Sequence, residues 1–323
     1  MDDSAVNKAA VEEAAAARTV ERIADNLGRV VHAQEETLRL VVLCLVSEGH
    51  LIIEDYPGVG KTMLAKALAR SVDCSFSRLQ FTPDLLPSDV TGVNVFDQRS
   101  NEFEFRPGPI FASLLLVDEI NRASPKTQSA LLEAMQENQA TVDGVSYPLV
   151  RPFMVMATQN PIEYEGTYPL PEAQLDRFTM RVDIGYPPLG EEARMLSEQT
   201  SEPPLDSLEP VSSAAEVLEA IEAAKAVYVE EALNRYVVAL LRHTRSDARL
   251  FLGGSPRAGI ALLRVAKSRA LADGRNYLLP DDVKEVAGHV LAHRLILAPE
   301  ARAAGLSGAD LVGDALDHTP VPV

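Results

Sequence analysis

The chain is 323 residues long, a length that suggests about two domains. It is acidic, with a formal net charge of −17, and such a chain should repel nucleic-acid phosphates unless basic residues gather on one face. No apolar run approaches the roughly 18 residues of a membrane span, and the N-terminus lacks the features of a secretory signal. The composition therefore favours a cytoplasmic protein and argues against a nucleic-acid substrate.

The thiols and imidazoles give no sign of a redox or metal centre. Cys44 and Cys74 each stand alone in apolar or strand-like surroundings, which favours buried free thiols over a disulfide. His289 and His293 have helical spacing, but no glutamate motif lies between them and no third ligand follows. We expect no metal bound through histidine.

In chain order, the first 17 residues read as a polar Ala/Glu helix or a frayed end, and residues 18–46 continue a helical pattern. Strands then alternate with helical segments, which indicates a parallel α/β sheet. The predicted strands lie near His50–Glu54, Ser75–Phe81, Leu114–Asp118, Phe153–Thr158 and Thr179–Asp183, and a helix over Thr62–Val72 follows the first of them.

Two segments interrupt this alternation and predict β-hairpins, namely Val93–Arg106 and Thr141–Val150, the second around the turn dipeptide Asp143-Gly144. Beyond residue 186 the pattern becomes helical. The predicted helices there are Ser212–Ala224, Glu230–His243, Pro256–Ala272 and Pro280–Leu297. We therefore divide the chain into an N-terminal extension (1–17), an α/β domain with two hairpin inserts (18–186) and a smaller all-helical domain (187–323).

A phosphate-binding loop is predicted between the first strand and its helix. There Gly58 and Gly60 let backbone N–H groups close on a phosphate, and the helix N-terminus adds its positive end. Lys61 should bridge the β- and γ-phosphates of a nucleotide, and the Thr62 hydroxyl should bind Mg²⁺. The residues expected at the nucleotide are Pro57, Gly58, Val59, Gly60, Lys61, Thr62 and Met63. Asp55 stands where the common pattern has glycine, and aspartate tolerates left-handed backbone angles.

A fully apolar strand, Leu114–Val117, ends in the two carboxylates Asp118 and Glu119. Downstream of a phosphate-binding loop, Asp118 can hold Mg²⁺ and Glu119 can polarise the water that attacks the nucleotide. The next predicted strand is followed by Asn160, whose amide could orient the same water. The pattern is that of a nucleoside-triphosphate hydrolase that uses Mg²⁺.

Arg177 and Arg257 are candidates to bring positive charge to the γ-phosphate, from the same subunit or from a neighbour. The alternative for each is a surface ion pair, which for Arg177 would involve Asp176 or Glu172. Spacing alone leaves both interpretations open.

Three linked strings make the chain resemble the AAA+ ATPases, and within them the MoxR family, over nearly its whole length. The strings are Val117–Gln128 with Leu131–Glu137, then Ala157–Pro161, and Tyr168–Phe178. The resemblance implies Walker A roles for Lys61 and Thr62, and Walker B roles for Asp118 and Glu119.

The resemblance further implies that Asn160 is the sensor 1 residue, Arg177 the arginine finger that reaches a neighbouring subunit, and Arg257 the sensor 2 residue of a helical lid. Val30 and Val31 lie where such ATPases contact adenine, followed by His32 where family members often carry glycine. The hairpin Val93–Arg106 resembles the helix-2 insert of this clade, and Thr141–Val150 its pre-sensor-1 hairpin.

Members of the family form hexamers and work with proteins that carry a von Willebrand factor A domain, often in maturing a client enzyme complex. The resemblance therefore implies a chaperone that remodels or activates a partner. Three alternatives stay open: a chelatase-type subunit that drives metal insertion, a DNA-acting AAA+ ATPase, and a small-molecule kinase. The net charge of −17 speaks against the second, and the predicted lid and arginines against the third.

Overall fold

The computed structural model describes residues 3–56, 58–159, 168–186, 190, 192 and 205–322, with side chains from residue 14 onward. The helices are α1 (Asp3–Gly28), α2 (Glu35–Val46), α3 (Lys61–Ser71), α4 (Pro87–Thr91), α5 (Pro125–Glu137), α6 (Glu172–Leu175), α7 (Ala214–Ala226), α8 (Glu231–Ser246), α9 (Pro256–Ala272), α10 (Pro280–Leu291), α11 (Pro299–Ala303) and α12 (Gly308–His318). The strands are β1 (Leu51–Glu54), β2 (Phe76–Gln80), β3 (Gly92–Asp97), β4 (Glu102–Pro107), β5 (Leu114–Asp118), β6 (Gln139–Val142), β7 (Val145–Pro148), β8 (Met154–Gln159), β9 (Met180–Val182), β10 (Leu250–Leu252) and β11 (Ile296–Leu297).

The central sheet has five parallel strands in the order β2-β5-β8-β1-β9. Every residue of β5 is buried, as expected for a parallel strand that is covered on both faces. The register sets Gln80 beside Asp118 and Glu54 beside Gln159, so β2, β5, β8 and β1 end along one edge. That edge is where the polar residues that follow the strands come together.

Two apolar clusters cover the two faces of the sheet. One contains α1, α2, α3 and the C-terminal helices, and its members include Leu43 and Leu68. The other contains α5 and the region of the two hairpins, and its members include Phe81 and Phe178, which are fully buried. The predicted fold class, a parallel sheet flanked by helices with a smaller helical lid, is confirmed.

Both predicted hairpins are present, as β3–β4 and β6–β7. Asp143 and Gly144 have φ angles of 51° and 81°, the left-handed values that a two-residue hairpin turn requires. The hairpins touch each other, because the Asn94 amide donates to the Asp143 carboxylate over 2.8 Å and the ring of Phe105 stacks on Tyr147 with centroids 4.0 Å apart.

The N-terminal helix α1 runs without a break through residue 17, where we placed a domain boundary. It packs on α7 and α2, and Arg22 pairs with Glu216 over 3.0 Å. The boundary expected at residues 186 and 187 adjoins residues 187–189, which lie outside the described part of the chain. Among the helices that the structure describes, none is long and apolar enough to cross a membrane.

The predicted helix Pro280–Leu297 is too long. Helix α10 ends at Leu291, a 3-10 turn covers Ala292–Arg294, and Ile296 and Leu297 pair with β10. In this turn the side chains of His293 and Arg294 bond to the Phe178 carbonyl of the α/β domain. A continued helix would direct these two side chains away from that carbonyl. Among the described residues of the lid, helices are joined by a two-stranded sheet, β10–β11, that the sequence did not predict.

His50, at the start of β1, makes the stability of the fold depend on pH. Its ring is buried, with Nδ1 accepting from the Val155 amide and Nε2 beside the Met135 carbonyl at 3.1 Å each. Burial lowers the pKa of His50 from 6.5 to about 4, so between these values the unfolded chain binds a proton that the folded chain does not. The free energy of unfolding should fall by up to about 3 kcal/mol as the pH drops through this window.

We expect His50→Gln, which keeps one donor and one acceptor but cannot be protonated, to reduce this pH dependence and leave the part due to the buried His293, whose pKa is also lowered by burial. Urea unfolding at a series of pH values from 7 down to 4 measures the slope. A slope that is the same in the wild type and in the variant would contradict the assignment.

Candidate active site

The predicted phosphate-binding loop joins β1 to α3. Gly58 and Gly60 have φ angles of 88° and 94°, and a Cβ on either would meet no atom within 4 Å. The glycines are therefore required by the backbone angles, and the loop faces open space. No side chain caps the N-terminus of α3, so its first amide groups are available to an anion. Pro57 lies outside the described residues.

Lys61 is the first residue of α3, directly after the loop. Its Nζ donates a hydrogen bond of 2.6 Å to the carbonyl oxygen of Asp55. Burial lowers the pKa of the ammonium, while the carboxylates of Asp55, Asp118 and Glu119 raise it. An ammonium that donates to a backbone carbonyl, close to three carboxylates, is well placed to exchange that carbonyl for a phosphate oxygen.

The two carboxylates at the end of β5 occupy different environments. Asp118 is buried, and its two oxygens accept from Arg78 Nε at 2.7 Å and from the Thr158 hydroxyl at 3.3 Å. Glu119 is half-exposed and has a left-handed φ of 55°, a backbone strain that is uncommon outside glycine and is found at functional sites.

Glu119 is held by three neighbours. Its amide donates to the Thr158 hydroxyl over 2.9 Å, and its Oε2 accepts from Gln80 at 2.8 Å and from Arg122 at 3.0 Å. A carboxylate fixed in this way at a strand end can act as a base on a water molecule. The cavity lined by this group has a volume of about 370 Å³ and includes Gly58, Gly60, Lys61, Thr62, Met63, Arg78, Gln80, Asp118, Glu119 and Thr158.

Sequence reasoning missed four residues of this site, namely Arg78, Gln80, Arg122 and Thr158. A usable signal was present for two of them. Arg78 and Gln80 are polar residues two positions apart and therefore share one face of strand β2, which ends beside β5. Asn160 lies outside the described residues, directly after the end of β8 at Gln159.

Asp55 does something other than what we expected. Its φ is not left-handed; instead the buried carboxylate accepts from the backbone amides of Ile184 and Gly185 at 2.8 and 2.7 Å, and from Tyr56 at 2.7 Å. The aspartate thus ties the start of the loop to the segment that follows β9. Glycine at this position could not make those bonds.

The predicted adenine contacts Val30 and Val31 are buried, with 6% and 4% of their surface exposed. Both belong to the larger apolar cluster, and Val59 and Met63 pack against the same cluster from the loop and α3. His32, directly after them, is half-buried.

Arg177 and Arg257 lie together, but they do not line the cavity of the phosphate-binding loop. Both line a second cavity of about 400 Å³, whose other basic members are Arg151, Arg264, Arg294 and His50. Arg177 donates to the carbonyl of Leu132 over 2.5 Å, while the Asp176 carboxylate accepts from Arg294. The ion pair that we considered as an alternative for Arg177 is therefore not formed among the described residues.

Two family models match the chain: "ATPase family associated with various cellular activities (AAA)" over residues 50–180, and "AAA lid domain" over residues 242–315. The chain is 46% identical to the uncharacterized protein YeaC of Bacillus subtilis, over 93% of each. It is 41% identical to Chaperone MoxR1 of Mycobacterium tuberculosis, over 96% of this chain and 84% of that one.

A crystal structure of a protein described as an ATPase candidate, from Cytophaga hutchinsonii, is 37% identical and superposes with a TM-score of 0.91 over 98% of this chain and 99% of that one. The fold, the loop and the paired carboxylates thus define an ATPase of the AAA+ class. Within that class, the chain belongs to the MoxR family.

Lys61 and Glu119 should be separable by mutation. Lys61→Ala should abolish ATP binding, because we expect its ammonium to contact the phosphates. Glu119→Gln should keep binding and lose turnover, because we expect the Glu119 carboxylate to act on the attacking water. Calorimetry gives the affinity and phosphate release gives the rate. Lys66→Ala, an exposed lysine on the same helix, serves as the control and should change neither. Equal ATP affinity in the wild type and Lys61→Ala would contradict the assignment.

Proposed function

We propose that this ATPase works as a homo-oligomeric ring, a hexamer, in which Mg²⁺-dependent ATP hydrolysis at subunit boundaries remodels or activates a partner protein. The observation that carries the proposal is the separation of the two cavities. The loop cavity holds Lys61 and the carboxylates, whereas Arg177 and Arg257 line a different cavity. A neighbouring subunit would bring its arginines to this subunit's phosphates.

The residues of the loop cavity fit a magnesium ion. Thr62 and Asp118 line it together and offer the hydroxyl and carboxylate oxygens that Mg²⁺ prefers. When bound, Mg²⁺ would neutralise charge on the β- and γ-phosphates. Lys61 would move from the Asp55 carbonyl to the same phosphates, and Glu119, held by Gln80 and Thr158, would take the proton of the attacking water. Asn160, which directly follows β8 in the sequence, would orient that water.

The chaperone role and the partner have support of a different kind. A relative that is 41% identical bears the name Chaperone MoxR1, and the family resemblance implies a partner with a von Willebrand factor A domain and a client enzyme complex. The net charge of −17 favours a protein partner over a nucleic acid. A chelatase-type role, driving metal insertion, is the runner-up, but no described feature favours it.

A shared site predicts a particular result in mixed rings. Arg177→Ala should bind ATP with normal affinity but hydrolyse it about 10³-fold more slowly, as arginine-finger mutants do. Lys61→Ala subunits bind no ATP but retain Arg177. Mixing the two inactive variants should restore part of the activity, because one supplies the nucleotide and the other the arginine. Phosphate release is measured across mixing ratios, and a mixture as inactive as both parents at every ratio would contradict the shared site.

The hairpin β3–β4 is the best candidate for contact with the partner. The phenylalanines of this hairpin fall into two groups, one packed onto the domain and one exposed. Phe105 packs, since it contacts Tyr147 and Phe111. Phe96 and Phe103 form an edge-to-face pair at the hairpin end and are 45% and 72% exposed. Exposed aromatic pairs are typical of protein-binding surfaces.

We expect the Phe96–Phe103 pair to be needed for partner binding and not for ATP hydrolysis. In a Glu119→Gln background, which should hold the partner in place, Phe96→Ser with Phe103→Ser should release the proteins retained from cell extract. Replacement of Asp97–Asn101 by a short Gly-Ser turn should act in the same way. Phe251→Ser is the control, because Phe251 is 80% exposed but lies on the lid.

In the wild-type background, basal ATPase activity of these hairpin variants should stay within a few-fold of normal. Retention of the same proteins by the Phe96/Phe103 variant and by the Phe251 control would show that this hairpin end does not bind the partner.

A further inference from the structure

Arg294 is a buried arginine in the 3-10 turn that follows helix α10 of the lid. Its hydrogen bonds reach two places, the end of α10 and one short segment of the α/β domain. Its side chain is 4% exposed. A guanidinium has five N–H donors, and here five hydrogen bonds leave it. One goes back to the Val290 carbonyl of α10, and the others cross to the α/β domain.

The bonds that cross all end on residues 176–179, the turn between α6 and β9. Nε donates to the Asp176 carboxylate at 2.7 Å, and the terminal nitrogens donate to the carbonyls of Asp176, Phe178 and Thr179 at 3.3, 2.8 and 3.0 Å. The adjacent His293 adds a contact of 3.0 Å from Nε2 to the Phe178 carbonyl. Two consecutive lid residues thus fix the backbone on both sides of Arg177.

Arg177 occupies the middle of this fixed turn, but its side chain lies elsewhere. Its guanidinium donates to the Leu132 carbonyl near the middle of α5 and lines the second cavity, which also contains Arg257. Its backbone amide bonds to Gln174, and the next residue, Phe178, is fully buried. The direction in which the Arg177 side chain leaves the backbone therefore depends on the turn that Arg294 holds.

Stability alone is a poor reason for an arginine in this place. Burial of a guanidinium costs desolvation free energy, and well-packed apolar residues often replace buried ion pairs without loss. Burial lowers the pKa of Arg294, and the Asp176 carboxylate acts against that change, so the charge is kept by its partner. An apolar side chain cannot supply what the guanidinium supplies here, a planar fork of N–H donors that binds several carbonyls at once.

We propose that Arg294 is a positioning residue for Arg177: through the turn at residues 176–179, the lid of each subunit sets the direction of the arginine that the same subunit offers to its neighbour. The inference rests on the proposed function of Arg177 as a finger that acts on the neighbour's ATP. It makes the lid the element through which the state of one subunit changes hydrolysis in the next.

Arg294→Lys tests the inference, because lysine keeps the charge and loses the fork. ATP affinity and KM should stay at wild-type values, since the loop cavity is untouched, while kcat should fall on the order of 10²-fold, the effect of a misplaced reacting group. The matched control is Arg275→Lys. Arg275 makes a bidentate bond to the buried Asp282 at 2.6 and 2.7 Å, within the lid and away from Arg177. Its kcat should not change.

Two further measurements separate positioning from general damage to the fold. If Arg294 acts through Arg177, the double variant Arg294→Lys with Arg177→Ala should be no slower than Arg177→Ala alone. In addition, Arg294→Lys subunits should regain activity when they are mixed with Lys61→Ala subunits, whose own arginine is correctly held. A defect confined to a subunit's own loop would not be repaired by a neighbour.

If Arg294→Lys does not fold, Asp176→Asn, which removes only the charged acceptor, takes its place in all three measurements. Wild-type kcat in the folded variant, additive losses in the double variant, or no rescue in the mixture would each overturn the inference. Wild-type kcat in Arg177→Ala itself would instead overturn the finger on which the inference rests.

Discussion

Parallel strand pairing is the constraint from which the rest of this molecule follows. Because β1, β5, β8 and β2 run in the same direction and in close register, their carboxyl ends share one edge. The residues that follow them, drawn from four distant parts of the sequence, become neighbours there. Thr158 shows the consequence, since one hydroxyl at the end of β8 accepts from the Glu119 amide and donates to Asp118. A shift in register would separate these groups.

The charged groups of the site at this edge all make hydrogen bonds within the protein. Lys61 donates to a backbone carbonyl, Asp118 accepts from Arg78, and Glu119 accepts from Gln80 and Arg122. Each of these contacts is with a partner that a nucleotide phosphate, a metal ion or a water molecule could replace. The strained backbone at Glu119 belongs to the same arrangement, because surrounding bonds must fix a left-handed glutamate that would otherwise relax.

Two buried charged side chains join the ATP site to the parts of the chain that lie around it. Asp55 ties the phosphate-binding loop to the amides that follow β9, and Arg294 ties the lid to the turn that precedes β9. The segment after the short strand β9 is thus bound to Asp55 of the phosphate-binding loop, and the segment before it, which carries Arg177, is bound to Arg294. A movement of the phosphate-binding loop and a movement of the lid would therefore both act on β9.

The sequence by itself determined the α/β class, the five central strands and both hairpins, because apolar runs and turn dipeptides are local signatures. It also determined the phosphate-binding loop, from glycines before a helix, and the two carboxylates at the end of β5, from the apolar run that precedes them. It did not determine which side chains meet. Arg78, Gln80 and Thr158 join Asp118 and Glu119 only through strand order, and Asp55 received the wrong explanation because its acceptor role depends on amides 129 and 130 residues away. The end of α10 and the placement of Arg177 with Arg257 were likewise decided by contacts between distant segments, which no local pattern records.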